Sequence, residues 1–107
     1  MTYDCTLYSR KIIAKEISDL LRDLIDNMRD MGEKFTINNY FLGEFSSLMY
    51  LCSKFHIIDS WYVYELVSNA NLLCCCERIE LFECVFVALN NFNGEVITNV
   101  FYKDFSE

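Results

Sequence analysis

Cys52 and His56 are the first residues whose types and spacing suggest chemistry. They lie four positions apart in a stretch with helical patterning, which predicts that they share one helix face and can grip one ion. His56 is the only histidine, and Cys74, Cys75 and Cys76 supply three consecutive thiols further on. If that run is extended, Cys74 and Cys76 point to the same side. Zinc takes thiolate and imidazole ligands in tetrahedral sets such as three cysteines and one histidine. The candidate metal site is therefore Cys52, His56, Cys74 and Cys76, with Cys75 or Cys84 able to replace either of the last two. Four protein ligands make a closed, structural Zn²⁺ site, tying the second helix to the segment after the third. The competing interpretation is packing. Cysteine is a common core residue, Cys52 falls on an apolar face, the pattern has no Cys-x-x-Cys pair, and His56 then becomes a core histidine with its hydrogen bonds satisfied.

Catalysis is disfavoured. A catalytic zinc needs an open coordination position and a general base within reach. A nucleophilic Cys52–His56 pair lacks an orienting third group and a Gly-rich oxyanion loop. Walker, dinucleotide and nucleophile-elbow motifs are missing. With no Pro and three Gly in 107 residues, the chain is also poor in the residues from which loop-built active sites are made.

The elements that must position these residues are mostly helices. The clearest covers residues 9–31, where Ile13, Ile17, Leu20, Leu21, Leu24, Met28 and Met31 recur at helical spacing. Ser9 is its expected N-cap and Gly32 its residue beyond the C-cap. Its other side carries acids that Lys15 and Arg22 can pair at i, i+4, as Lys15–Asp19 and Arg22–Asp26. A second helix opens at Thr36 or Asn39 and reaches about Phe55, burying Phe41, Phe45, Leu48, Met49, Cys52 and Phe55. Asp59 or Ser60 caps a third, from Trp61 to Asn69 or beyond. Residues 77–91 have Ile79, Phe82, Phe86 and Leu89 at helical spacing, although Val85-Phe86-Val87 also suits a strand. Asn93-Gly94 is the best turn signal. Residues 95–102 follow as a terminal strand, pairing with an N-terminal segment at 2–8 or with a strand around 84–89. The expectation is a mainly α, compact four-helix-like single domain over residues 1–107, with a small β element near the termini.

Charge restricts the partners. Nine Lys and Arg face sixteen Asp and Glu, for a net charge of −7. A phosphate-binding groove needs surplus Lys and Arg, so direct nucleic-acid binding is not expected. Residues 1–34 carry six basic and seven acidic side chains; residues 35–107 carry three and nine. The surplus thus lies after the first helix. Tyr40, Tyr50, Trp61, Tyr62 and Tyr64 are interleaved with it. Aromatics with polar tips suit an interface centre and acids its rim, while core packing claims most of the same aromatics. Tyr62 and Tyr64 cannot both face inward if Trp61 and Leu66 do. No signal peptide or stretch of about 18 apolar residues is visible. A cytoplasmic location with reduced cysteines and no membrane contact is expected.

In size, acidity, absence of Pro and lack of enzyme motifs, the whole chain resembles the phage-encoded anti-CRISPR inhibitors of type II CRISPR nucleases. Cys52-x-x-x-His56 with Cys74-Cys75-Cys76 is similar to the ligand pattern of a zinc-bearing member of that kind. The resemblance implies direct binding to a larger, basic effector nuclease inside the host cell and blockage of target-DNA loading or cleavage. Two other functions are compatible with the residues: a zinc-bearing regulatory or interaction module of a phage or bacterium, and a small thiol enzyme.

Overall fold

The computed structural model describes residues 7–31 and 39–100. Four helices follow one another: α1 (Leu7–Met31), α2 (Tyr40–Lys54), α3 (Ser60–Leu72) and α4 (Cys75–Asn90). The mainly helical architecture is as the periodicity predicts, and α4 is helical through the segment that also suited a strand.

Helix α1 turns Ala14, Ile17, Ser18, Leu21, Leu24, Ile25 and Met28 inward. The face is rotated slightly from the predicted one, since Leu20 and Met31 stand out in solvent. The helix also starts before Ser9, which lies inside its first turns rather than at its cap. Gly32 falls outside the described residues. The predicted pairs form on the exposed side, Lys15–Asp19 at 2.7 Å and Arg22–Asp26 at 3.8 Å. Such exposed pairs contribute little to stability. Contacts across to α4 are more consequential. The Arg22 guanidinium lies 4.2 Å from the centre of the Phe86 ring, Arg29 pairs with Glu83, and buried Ser18 donates to Asn90 Oδ1 at 3.2 Å.

Helix α2 buries Phe41, Phe45, Leu48, Met49 and Cys52, the predicted set apart from Phe55, which is half-buried beyond the helix end. Phe45 and Phe82 of α4 are fully buried and stack with ring centres 3.9 Å apart. Helix α3 opens as expected at Asp59, whose carboxylate accepts from the Tyr62 amide at 3.1 Å. Val63, Leu66 and Ala70 face the core. Helix α4 buries Leu81, Phe82, Val85 and Leu89, and with them Arg78.

Arg78 is 8% exposed. Its Nε donates to the Ala70 carbonyl at 2.7 Å and a terminal nitrogen reaches the Asn71 carbonyl at 3.4 Å. These are carbonyls of the last turn of α3, which have no partners within the helix and carry the negative end of its dipole. Arg10 does similar work after α2. It donates to the carbonyls of Phe55 (3.3 Å) and His56, and to that of Gly94 (3.1 Å), while lying over the Phe92 ring.

The expected terminal strand is not formed. Among the described residues, 91–100 run irregularly and make one isolated parallel bridge, Ile58 to Ile97. Two hydrogen bonds hold it, Asp59 N to Ile97 O (2.9 Å) and Ile97 N to Ile57 O (2.8 Å). The partner is thus the α2–α3 connection, because residues 84–89 and the described end of the N-terminal segment, Leu7 and Tyr8, are helical and their backbone groups are engaged. Residues 2–6 and 101–102 lie outside the described residues. The Asn93-Gly94 signal does mark a turn. Gly94 has φ +105°, and a Cβ there would run into Leu7 Cδ1.

Arg78→Ala should lower the unfolding free energy by about 2–4 kcal/mol, since it strips two carbonyls of a charged donor and leaves a void. Arg78→Lys should recover roughly half of the loss by holding one carbonyl. Urea titration checks both, and a loss below about 1 kcal/mol for the alanine variant would contradict this role. Gly43 sits on the exposed side of α2 with open space where a Cβ would go. Gly43→Ala should therefore stabilise by about 0.5–1 kcal/mol in the same titration.

Candidate functional site

The proposed zinc ligands occupy four different settings. Cys52 is fully buried in the common core, and burial pushes its thiol up to about 12. His56 does not continue α2, which ends at Lys54. It takes φ +58°, with its amide bonded to Ser53 O at 3.1 Å and the Ile57 amide bonded to Cys52 O at 2.8 Å. This is a Schellman closure with histidine at the left-handed position where glycine is usual. The one-turn spacing from Cys52 therefore does not put the imidazole on the Cys52 face. His56 is exposed, so it is not a core histidine either.

The cysteine run is not extended throughout. Cys74 is the extended N-cap of α4, while Cys75 and Cys76 are its first helical residues. Alternation of sides, which would have paired Cys74 with Cys76, does not apply. Both are exposed and Cys75 half-buried. The Cys74 amide is held by Glu77 Oε1 at 3.2 Å. Cys84 is half-buried, and burial, then Glu83 and Glu80, raise its pKa. Among the described residues, no group of three or more Cys, His, Asp or Glu side chains is placed to hold a metal ion.

The structure does assemble a different feature, on α3. Trp61, Tyr64, Glu65, Ser68 and Leu72 recur at helical spacing on the side opposite Val63, Leu66 and Ala70. All are exposed, with Trp61 at 80%, Tyr64 at 66% and Leu72 at 82%. Large apolar side chains lined up on one exposed stripe mark interaction surfaces more than isolated ones do. Core packing thus takes fewer of the aromatics than the sequence suggests. Tyr62 alone of the α3 aromatics turns inward: its hydroxyl accepts from the Val100 amide at 2.8 Å and donates to Asn99 Oδ1 at 3.2 Å.

The electrostatics around this stripe are one-sided. Between residues 55 and 100 there are six carboxylates, Asp59, Glu65, Glu77, Glu80, Glu83 and Glu95, and the only Lys or Arg is Arg78. Arg78 is buried on the end of α3, so this stretch offers no lysine or arginine of its own to solvent. Asp59 and Glu77 close helix N-termini and Glu83 takes Arg29. Glu65, Glu80 and Glu95 have no ion-pair partner among the described residues. Tyr62 feels the same field. Burial raises its pKa most, the bond from Val100 opposes this, and Glu65 and Cys84 add to it.

No described helix is long and apolar enough to cross a membrane. Comparison of the chain with protein-family models, curated proteins and solved structures finds no match. Fold and surface together define a small helical protein with an aromatic stripe set in an acidic field.

The metal and docking interpretations part at His56. His56→Gly relieves an L-residue from the left-handed region and should raise stability by about 1 kcal/mol; a lower melting temperature together with release of bound zinc would restore the metal site. Thiol labelling at neutral pH should modify Cys74 and Cys76 first, Cys84 more slowly, and Cys52 only at the rate of unfolding. Rapid modification of Cys52 in the folded protein would contradict its burial.

Proposed function

We propose that this protein is a small acidic inhibitor that docks the α3 face onto a basic, nucleic-acid-handling surface of a larger protein and covers it. The observation that carries this is the exposed Trp61–Tyr64–Leu72 stripe in a segment whose only Lys or Arg is buried. Trp and Tyr are the residues that most often concentrate binding energy at an interface centre. Glu65 and Glu80, without an ion-pair partner among the described residues, are suited to the Lys and Arg side chains that otherwise hold phosphates. Like-charge repulsion keeps this surface away from nucleic acid itself. Inhibition is then by occupation: the basic groove is desolvated and neutralised, and its substrate is excluded. The resemblance to anti-CRISPR inhibitors points to a type II CRISPR nuclease as the effector and to target-DNA loading or cleavage as the blocked step.

The test is affinity for the effector nuclease that copurifies from the native host. Trp61→Ala and Tyr64→Ala should each weaken the complex by about tenfold or more with the melting temperature unchanged. Association should slow as salt is raised, because exposed acids steer the encounter. Unchanged affinity in the double variant, or tight DNA binding by the isolated protein at moderate salt, would overturn the proposal.

A further inference from the structure

The α3 face does not account for a second recess on the molecule. Helices α1 and α2 leave an open groove of about 190 Å³ between them. Leu24 and Leu48, both nearly buried, form its floor, and exposed Leu20 its lip. Asp23 and Asn27 line it from α1, and Tyr40 and Glu44 from α2. Asp23 and Glu44 come from opposite walls, and neither has an ion-pair partner among the described residues. The nearby cation Arg22 is turned to Asp26 and the Phe86 ring.

Size and chemistry restrict the occupant. Pockets for cofactors and drug-sized ligands occupy roughly 300–1,000 Å³, so this groove suits one side chain. An aliphatic stem matches the leucine floor and a charged head matches the two carboxylates, the division of character found in long basic side chains. A planar guanidinium can also take two acceptors at once, which a compact ammonium does less well. We propose that the α1–α2 groove is a receiving site for a single arginine side chain of a partner protein, held between Asp23 and Glu44 over the leucine floor. The site is independent of the α3 reading: it lies between different helices, and either can fail alone.

The experiment uses the full chain, isotopically labelled, titrated with an N- and C-blocked pentapeptide carrying one central arginine between leucines. Its citrulline counterpart, equal in shape but uncharged, is the control. Amide shifts should cluster at residues 20–27 and 40–48 for the arginine peptide, and the citrulline peptide should bind about tenfold more weakly or not at all. Asp23→Asn and Glu44→Gln change exposed side chains, so the fold should be retained while arginine-peptide affinity falls by about tenfold in the double variant. Equal binding of the citrulline peptide, shifts centred on another surface, or no shifts at millimolar peptide would each overturn the proposal. So would a concentration-dependent dimer abolished by Asp23→Asn, which would place a second copy of the chain in the groove.

Discussion

Each helix leaves its last carbonyls without partners inside the helix, and many helices close them with a left-handed glycine just beyond the end. This chain has three Gly and no Pro, and side chains add to the backbone amides that close the ends. Arg78 reaches back from the first turns of α4 to the end of α3. Arg10 reaches from α1 to the carbonyls that follow α2. His56 takes the left-handed position itself, and Asn91 returns its amide nitrogen to Val87 O after α4 at 3.0 Å. Charge-assisted bonds of this kind contribute about 1.5–3 kcal/mol each when buried, comparable with burying one large apolar side chain.

These closures also set the surface. Arg78 anchors the end of α3 against α4, and α3 in that position turns Val63, Leu66 and Ala70 inward. With a period of 3.6 residues, the opposite stripe is then Trp61, Tyr64, Ser68 and Leu72. The same burial removes from solvent the only Lys or Arg between residues 55 and 100. Arg78 thus ties the end of α3 to α4 and leaves the surroundings of the stripe acidic, while packing against α2 turns the apolar face of α3 inward and the stripe outward. The Phe45–Phe82 stack joins α2 to α4 in the core beneath, and Arg10 holds the segment after α4 through Gly94.

Helix number and most inward faces were legible because apolar spacing is local information. The Asp59 cap was legible for the same reason. The metal geometry was not. It rested on α2 running on to His56 and on an extended cysteine run, and both depend on where a helix ends or begins, the least local part of helix formation. The terminal strand failed similarly: β-branched residues at 96–98 are compatible with pairing, but the partner offered only the two bonds around Ile58. Arg78 carried a signal that composition alone hides. It lies in phase with Leu81, Phe82, Val85 and Leu89 on the buried side of α4, and an arginine in the apolar phase needs buried acceptors. Trp61 was harder, because nothing in its own turn distinguishes an aromatic kept for the core from one left in water.

Trp61 is the only tryptophan, so its exposure to water within an acidic field is directly measurable. Steady-state fluorescence of the monomeric protein, selectively excited at tryptophan, should show the emission of a hydrated indole. Relative to free N-acetyltryptophanamide at equal ionic strength, quenching by cesium should be enhanced and quenching by iodide reduced, because surrounding carboxylates attract the cation and repel the anion. A blue-shifted, quencher-resistant emission would mean that Trp61 is buried, and iodide quenching enhanced over that reference with cesium quenching reduced would mean that its surroundings are not acidic.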